Sequence, residues 1–461
     1  MLTVSQAFDR TPIAEVTTDG AASLERKLQA AERTFRNRDA WLRPHQRMAI
    51  LRRLAALMEG RRDHLAMQIA REGGKPLPDA IVETTRAIDG VHNAADELRG
   101  FAGREIPMGL SAAAENRWAF TTREPIGIVA AISAFNHPLN LIVHQVAPAI
   151  AVGCPVIVKP ASTTPLSCLD FVALVHEAGL PEPWCQSFLP DGNALAESLA
   201  TDRRVGFLSF IGSARVGWSL HHKLAPGTRS ALEHGGVAPA IVDRSADLDA
   251  IIEPVVKGGF YHAGQVCVST QRIFVHEDIA DDFTDRLVAR VEALRTADPT
   301  LGDTEVGPLI LPREADRVSD WTRQAVEGGA VLATGGDRLS ETTLRPAVLL
   351  DPAPDARIVT EEVFGPVVAV LRYRDLSEAI SRANALPTAF QASVFAQDID
   401  LALRAADRLD ASAVMINDAT AFRTDWMPFA GRRESGYGTG GIPYTMREMV
   451  QEKMIVMRRK G

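Results

Sequence analysis

Residues 127–159 read GIVAAISAFNHPLNLIVHQVAPAIAVGCPVIVK, and this stretch decides the fold class. It opens with an apolar run, Gly127–Ile132, and continues through a helical pattern at Leu139–Ala151. It closes with a second apolar run, Pro155–Lys159. Two short apolar runs joined by a helical segment are typical of a β-α-β unit, in which the two strands are parallel. The sequence therefore predicts a mainly parallel sheet covered by helices.

The same alternation continues along the chain. Further strands are predicted at Trp184–Leu189 and Val205–Ile211, and a second cycle runs from Ala240 to Asn417. We therefore expect two doubly wound α/β domains, in which ligands bind beyond the carboxyl ends of the strands. The strands of the second cycle are expected near Arg272–Val275, Val367–Tyr373, Ala392–Ala396 and Ala413–Ile416.

Other segments have a different texture. Residues Gly20–Leu57, Arg61–Gly73 and Pro78–Phe101 have helical spacing and predict helices that serve as packing surface. Asn116–Glu124 alternates like a hairpin strand, and Gly441–Lys460 ends in the short apolar strand MVQEKMIVMRRK. These two strands could extend the sheet of a neighbouring subunit or form an edge of their own domain, and the sequence does not decide between the two.

The composition restricts the class of protein. With 461 residues, 46% of them apolar, the chain is expected to form two or three domains. The net charge of −8 argues against nucleic acid or an anionic membrane as a partner. The four cysteines lack CxxC spacing, so neither a metal site nor a disulfide framework is indicated. With no signal-peptide pattern and no apolar run of membrane-spanning length, the sequence predicts a cytoplasmic protein.

A single cysteine carries the strongest chemical signal. Residues His262–Ser269 read HAGQVCVS and place Cys267 behind a glycine-bearing bend at the end of an apolar segment. A thiolate is the reactive form of cysteine and requires an exposed, electropositive pocket. We therefore expect Cys267 to be ionised and to face an open cavity. A buried structural thiol is the alternative.

Four further motifs each have a structural and a chemical interpretation. Asn136 in AFNHP could donate to an oxyanion or only shape a turn. Lys159 in VKPASTTP could reach a ribose or phosphate or lie on the surface. Gly212 in FIGSARVG could admit a phosphate, although the motif is not GxGxxG and a chance match is common. Glu233 in LEHGGVAP could act as a general base if partly buried, or be an exposed loop acid.

Together, in this order, the motifs resemble the aldehyde dehydrogenase superfamily, and the likeness runs from about residue 20 to the C-terminus. The resemblance extends to GQVC, EEVFGPV (Glu361–Val367) and PFAGRRESGYG (Pro428–Gly438). The tail GRRESGYGTGGIPYTMREM resembles a branch that contains phosphonoacetaldehyde and lactaldehyde dehydrogenases. The resemblance implies an NAD(P)-binding domain (1–110 and 126–236), a catalytic domain (237–437) and a small β oligomerisation element (111–125 and 438–461). It also implies a homodimer or homotetramer.

The resemblance also implies site roles, with NAD or NADP as cofactor and no metal. Cys267 corresponds to the nucleophile, Glu233 to the base that activates water, and Asn136 with the Cys267 amide to the oxyanion hole. The implied cofactor contacts are Ile132, Ser133, Lys159, Ser162, Gly192, Gly212, Ser213, Val216, Glu362 and Phe364.

Departures from the family pattern bear on specificity. Ser162 stands where NAD-preferring relatives commonly have glutamate, so a 2′-phosphate is permitted. Arg423 and the histidines predict a cationic tunnel, and hence a small anionic or polar aldehyde with phosphonoacetaldehyde as first choice. Lactaldehyde, glyceraldehyde or a semialdehyde are alternatives, and the arginines could instead form structural ion pairs. The implied substrate contacts are Arg86, His137, His144, Arg423, Trp426 and Phe429.

Two other functional classes remain at this point. An acyl-CoA-forming enzyme would transfer the acyl group from the cysteine thioester to CoA instead of to water. Relatives of that kind usually lack the base glutamate, whereas Glu233 is present here. A catalytically silent structural member is the non-enzymatic alternative. The presence of Cys267, Glu233 and Asn136 together argues against it.

Overall fold

The computed structural model describes residues 1–459, so residues 460 and 461 of the predicted oligomerisation element lie outside the described residues. Among those described, none of the helices combines the length and apolarity that a membrane span requires. Short 3₁₀ turns lie at Arg38–Ala40, Ala112–Ala114, Glu182–Trp184, Tyr261–Gly264 and Glu277–Ile279.

The first part of the chain supplies most of one parallel sheet and its helices. In chain order the elements are β1 (Leu2–Ser5), β2 (Pro12–Val16), α1 (Ala21–Arg36), α2 (Pro44–Glu59), α3 (Arg62–Gly73), α4 (Leu77–Glu97), β3 (Glu105–Ile106), β4 (Arg117–Pro125), β5 (Ile128–Ile132), α5 (Asn140–Val152), β6 (Val156–Lys159), α6 (Leu166–Glu177), β7 (Cys185–Ser187), α7 (Asn193–Thr201), β8 (Val205–Ile211), α8 (Ala214–His221) and β9 (Arg229–Glu233).

The second part builds another sheet and then returns to the first. Its elements are β10 (Ala238–Val242), α9 (Leu248–Phe260), β11 (Thr270–His276), α10 (Ala280–Glu292), α11 (Pro312–Glu327), β12 (Val331–Thr334), β13 (Ala347–Leu350), α12 (Arg357–Thr360), β14 (Val367–Tyr373), α13 (Leu376–Ala383), β15 (Thr388–Ala389), β16 (Gln391–Phe395), α14 (Ile399–Arg408), β17 (Ala413–Ile416), β18 (Arg432–Arg433), β19 (Gly436–Tyr437), α15 (Ile442–Glu448) and β20 (Val450–Arg458).

Two doubly wound sheets form the centre of the molecule, as predicted. The first has the order β19-β9-β8-β5-β6-β7 and is parallel except for β19. The second has the order β12-β13-β14-β11-β10-β16-β17 and is parallel except for β12. Both faces of the central strands are covered by helices, so β5 is buried along its whole length, which explains its unbroken apolar sequence.

The predicted helical stretch Gly20–Leu57 is divided into two helices, so the sequence interpretation was wrong in continuity. Helix α1 ends at Arg36, and α2 begins only at Pro44. Proline restricts the preceding residue to extended backbone, and Arg43 has φ −68° and ψ 154°. Since proline also lacks an N–H, it is tolerated best in the first turn of a helix, where it stands here.

The two predicted edge strands pair with each other within the chain. Strand β20 is antiparallel to β4 over nine residue pairs, and β3 adds a third strand. The chain also returns to the first sheet before this point, because β19 pairs with β9 and α15 packs against α4 and α5. The exact domain boundaries therefore stay a prediction.

Candidate active site

A large cavity of about 1330 Å³ lies between the two sheets, at the carboxyl ends of the first sheet's strands. Strands β5, β6, β8 and β9 each end at its wall, and a motif residue lies at the strand's end or directly after it: Ser133, Lys159, Gly212 and Glu233. Parallel strands deliver such residues to one edge of a sheet, which is why motifs distant in sequence meet here. Residues 261–268 and 418–429 close the opposite side.

Most of the predicted cofactor residues line one half of this cavity. Gly212 is held by its own backbone N–H, which donates to Glu233 O at 3.0 Å. Ser133 Oγ and Glu362 Oε1 are buried without a hydrogen-bond partner among the described residues. The predicted residues on this wall are Ile132, Ser133, Lys159, Gly212, Ser213, Val216, Glu362 and Phe364.

Two predicted cofactor residues do not line the cavity. Ser162 is exposed on the turn after β6, and the preceding Ala161 reaches the wall instead. Gly192 is exposed at the start of α7 with φ 102°, and its neighbour Asn193 lines the cavity. Both positions are displaced by one residue because a turn, rather than a strand, carries them.

Several lining residues were missed by the sequence analysis. Arg215 lies on the first turn of α8, is exposed, and forms no ion pair among the described residues. Its signal was available, because it stands inside the motif FIGSARVG. His234 donates from Nδ1 to Gly212 O at 2.9 Å and packs against Phe210. The other unpredicted charged residues on the cofactor side include Glu197, Glu314, Arg317 and Glu361.

Glu362 and Phe364 are positioned by unusual backbone geometry. A Cβ placed on Gly235 would stand 1.7 Å from Glu362 Oε1, so only glycine allows the carboxyl to lie there. Burial raises the pKa of Glu362 to about 8. Phe364 has φ 48° and packs edge-on against Phe135 with ring centroids 5.8 Å apart.

Cys267 faces the cavity and is half-buried, with valines on both sides in sequence. It packs in a small apolar cluster with Val266, Val268, Phe390 and Phe429. Burial raises the pKa of the Cys267 thiol to about 12, although the charge of Arg423 acts in the opposite direction. The prediction that this sulfur is ionised was therefore wrong for the protein alone, because the apolar surroundings favour the neutral thiol.

The loop before Cys267 is strained and firmly held. His262, Ala263 and Gly264 have φ values of 49°, 54° and 70°, which two non-glycine residues adopt at a cost of roughly 1–2 kcal/mol each. Gln265 offsets this cost by hydrogen bonds to the segment that precedes α11. Its Nε2 donates to Pro308 O at 3.1 Å, and its Oε1 accepts from the N–H of Ile310 at 2.9 Å. The loop geometry is therefore fixed before any substrate arrives.

Asn136 and Glu233 line the same cavity as Cys267. Asn136 Nδ2 donates to Gln265 O at 2.8 Å, which uses one of its two amide hydrogens and leaves the other. The carboxyl of Glu233 lies against Gly440, where a Cβ would stand 2.1 Å from Oε1. Burial raises the pKa of Glu233, and Arg423 counteracts part of that rise.

The predicted cationic tunnel contains far less free charge than its residue types suggest. Arg86 lines the cavity but forms a two-point ion pair with Asp425, with N–O distances of 2.9 and 3.1 Å. His137 lines the cavity, but burial holds its pKa well below the usual range, and the charge of Lys75 adds to that effect. Arg86 and His137 thus supply little free positive charge.

Two predicted substrate residues lie away from the cavity wall, which corrects the sequence interpretation. His144 is buried on α5, does not line the cavity, and lies behind Arg423, with its Nδ1 3.3 Å from Arg423 Nη2. Burial lowers the pKa of His144 to about 4, so it is neutral. Trp426 is 57% exposed and does not line the cavity.

Arg423 is the exception among these groups. It lines the cavity and forms no ion pair among residues 1–459. Its guanidinium carbon lies 3.5 Å from the ring centroid of Phe429, which also lines the cavity, and its charge acts on both Cys267 and Glu233. We call the part of the cavity lined by Asn136, Glu233, Cys267 and Arg423 the substrate half. It contains one cation without an ion pair among the described residues, together with a thiol, an amide donor and a carboxyl group whose pKa is raised.

Comparison with known proteins agrees with this geometry. Residues 1–455 match the model of the aldehyde dehydrogenase family. The chain is 35% identical to a 3-sulfolactaldehyde dehydrogenase of Priestia aryabhattai over 454 residues, covering 98% of this chain and 94% of that protein.

Solved structures are equally similar. Aldehyde dehydrogenase 21 of Physcomitrella patens, in complex with the reaction product succinate, has a TM-score of 0.95 at 35% identity and covers 100% of this chain and 95% of that one. Glyceraldehyde-3-phosphate dehydrogenase of Methanocaldococcus jannaschii, complexed with NADP, has a TM-score of 0.94 at 32% identity and covers 100% and 99%.

Proposed function

The chain belongs to the aldehyde dehydrogenase family, and we propose that it oxidises a small anionic aldehyde to its carboxylate with NAD or NADP. The observation that carries the anionic preference is the guanidinium of Arg423, which forms no ion pair in the described part of the chain and lines the cavity that Cys267 also lines. Aldehydes with a phosphonate, sulfonate or carboxylate group share the required chemistry, and phosphonoacetaldehyde remains one member of this class. The relatives named for sulfolactaldehyde and found with succinate are consistent with an anionic substrate group.

The cofactor half fits a dinucleotide. Ser133 Oγ and Glu362 Oε1 are buried polar atoms with no hydrogen-bond partner within residues 1–459, as expected where ribose hydroxyls or an amide would bind. Lys159 lines the same cavity and forms no ion pair among the described residues, and burial lowers its pKa. Gly212 and Ser213 at the start of α8 would receive the pyrophosphate, because helix N-termini favour negative charge. When bound, the oxidised nicotinamide accepts hydride and brings positive charge.

Cys267 performs the covalent step in this mechanism. The thiol must lose its proton, and a positive charge beside it makes the thiolate accessible despite burial. The thiolate attacks the aldehyde carbon and forms a thiohemiacetal, whose oxygen carries the negative charge. The free amide hydrogen of Asn136 and the backbone N–H of Cys267 donate to that oxygen. Loss of hydride then leaves a thioester on Cys267.

Glu233 completes the reaction by activating water. A carboxyl with a raised pKa is a stronger base once ionised, which suits proton removal from water near neutral pH. Water attacks the thioester, Glu233 takes its proton, and the carboxylate product leaves Cys267 as a thiol. The presence of Glu233 on the cavity wall favours hydrolysis over transfer to CoA.

A panel of aldehydes tests the proposal. Phosphonoacetaldehyde, sulfoacetaldehyde and succinic semialdehyde are each compared with a neutral aldehyde of equal length, using NAD and NADP in turn. A charge-assisted hydrogen bond is worth about 1.5–3 kcal/mol, so kcat/KM for at least one anionic substrate should exceed that of its neutral partner about 10-fold or more. Equal or higher values for all neutral partners would refute the anionic preference.

We also propose that the protein acts in the cytoplasm as a homodimer or homotetramer. Strand β20 presents Met454, Ile455, Val456 and Met457 with 37–58% of each side chain exposed. Because successive side chains of a strand point to opposite faces, both faces of β20 carry exposed apolar side chains, as expected of an element that a second subunit covers. Sedimentation equilibrium would test this proposal, and a monomer at micromolar concentration would contradict it.

A further inference from the structure

We propose that His144 and Asp425 are positioning residues that fix the guanidinium of Arg423 for an anionic substrate group. The inference rests on the function proposed above and adds two residues that do not line the cavity themselves. They form a chain of contacts that begins in the core and ends at the cavity wall: Asp425 to His144 to Arg423.

The contacts determine the protonation state of His144. Its Nε2 lies 2.7 Å from Asp425 Oδ1, and an ionised carboxylate can only accept, so Nε2 carries the hydrogen. Its Nδ1 lies 3.3 Å from Arg423 Nη2, and a guanidinium can only donate, so Nδ1 must be the acceptor. Only the neutral tautomer with hydrogen on Nε2 satisfies both contacts.

Asp425 is itself fixed from two other directions. Arg86 binds both of its carboxylate oxygens, and Asn140 Nδ2 donates to Oδ1 at 3.1 Å. Because Asp425 is only 2% exposed, no water competes freely for these bonds. The carboxylate therefore presents a rigid acceptor to His144, which sets the tautomer and the ring orientation.

Arg423 is held at two points and left free at others. Nη2 donates to His144, and the guanidinium plane lies over Phe429. Its Nε is buried without a hydrogen-bond partner among the described residues, which is costly unless a ligand supplies an acceptor. A histidine acceptor orients the guanidinium without cancelling its charge, whereas a carboxylate in the same place would neutralise it. The arrangement thus presents to an oxyanion one oriented cation that forms no ion pair among the described residues.

Three substitutions of His144 separate positioning from simple packing. His144→Asn places an amide oxygen near the position of Nδ1 and retains an acceptor for Arg423. His144→Gln places an amide nitrogen near the position of Nε2 and retains the donor to Asp425, but it loses the acceptor. His144→Phe removes both. The readout is the ratio of kcat/KM for succinic semialdehyde to that for pentanal, with KM and kcat determined separately for each. Because both substrates are measured on the same preparation, a misfolded fraction cancels from the ratio.

Positioning predicts an order among the variants. The ratio should fall about 10-fold in His144→Phe and nearly as far in His144→Gln, mainly through KM for the anion, and about 2-fold in His144→Asn. A purely structural role predicts that His144→Gln retains the ratio as well as His144→Asn does, and that result would overturn the inference. If the parent protein itself shows no preference for the anion, the proposed function fails. If the parent shows the preference and Arg423→Gln removes it while His144→Gln does not, only the positioning role fails.

Discussion

The two halves of the cavity differ in where their charged groups find partners. In the cofactor half, Lys159 ends β6 and Arg215 lies in the first turn of α8, and neither forms an ion pair among the described residues. In the substrate half, Arg86 is paired with Asp425, which is 339 residues away in the chain. The comparison shows that a sequence motif can indicate which residue lines the cavity. Whether that residue's charge is neutralised depends on partners that are distant in the sequence. Arg423, by contrast, lines the substrate half and forms no ion pair in the part of the chain that the structure describes.

The largest effect is expected where the two halves meet, at Cys267. Cys267→Ala should lower kcat at least ~10³-fold for every aldehyde and for both cofactors, because the covalent step is lost. Cys185→Ala is the matched control, since the thiol of Cys185 is fully buried in the hydrophobic core around the first sheet and does not line the cavity. Steady-state NAD(P)H formation gives the measurement. Similar losses in both variants would point to misfolding rather than chemistry.

The second effect concerns the ionisation of the same thiol. A pKa near 12 instead of the model-compound value of 9.0 lowers the thiolate fraction at neutral pH by roughly 10³-fold. Alkylation of Cys267 by iodoacetamide should therefore be slow without cofactor, and its rate should rise with pH up to at least pH 9.5 without a plateau. Mass spectrometry of the peptide containing Cys267 gives the rate. A plateau between pH 6 and 8 would show that the apolar cluster does not control this thiol.

The third effect sharpens the contrast between paired and unpaired cations. Arg423→Gln should lower kcat/KM for an anionic aldehyde about 10–100-fold while changing that of a neutral aldehyde of equal length much less. Lys257→Gln is the control, because Lys257 lines the same cavity but is paired with Asp79 at 2.5 Å. If Arg423→Gln and Lys257→Gln each changed kcat/KM for the anionic and the neutral aldehyde by the same factor, the charge argument would be wrong.

Arg86 should behave differently from Arg423, although both line the substrate half. Arg86→Gln leaves the buried carboxylate of Asp425 without its main partner, so the free energy of unfolding should fall by about 3 kcal/mol. Urea denaturation of Arg86→Gln and Arg423→Gln beside the parent protein measures this. A larger loss in Arg423→Gln would mean that Arg423 is the structural member of the pair.

The smallest effect is expected at the outer end of the cofactor half. Arg215→Ala should raise KM for NADP about 5–10-fold and leave KM for NAD nearly unchanged, since an exposed cation gains most from a 2′-phosphate. NAD serves as the internal control. Parallel changes in both values would place Arg215 near the shared part of the dinucleotide.

The sequence predicted those features that depend on local pattern. Apolar runs identified four strands in each of the two sheets, and missed β9, β10, β12, β13 and β19. Asn136, Glu233 and Cys267 were predicted because each stands in a motif next to a strand or bend, and all three line the cavity. The displacement of Ser162 and Gly192 from the wall arises from turns, whose exact path depends on packing. The neutrality of His144 and the protonated state of Cys267 were missed because burial by residues from other elements sets both pKa values.

Covalent trapping tests the central claim most directly. Glu233→Gln, mixed with an anionic aldehyde and NADP or NAD, should form about one equivalent of reduced cofactor per subunit and then stop, because the thioester is no longer hydrolysed. Mass spectrometry of the acid-quenched protein should find the acyl group on Cys267. An acyl group on another residue, or reduced cofactor formed with Cys267 unmodified throughout, would contradict the account.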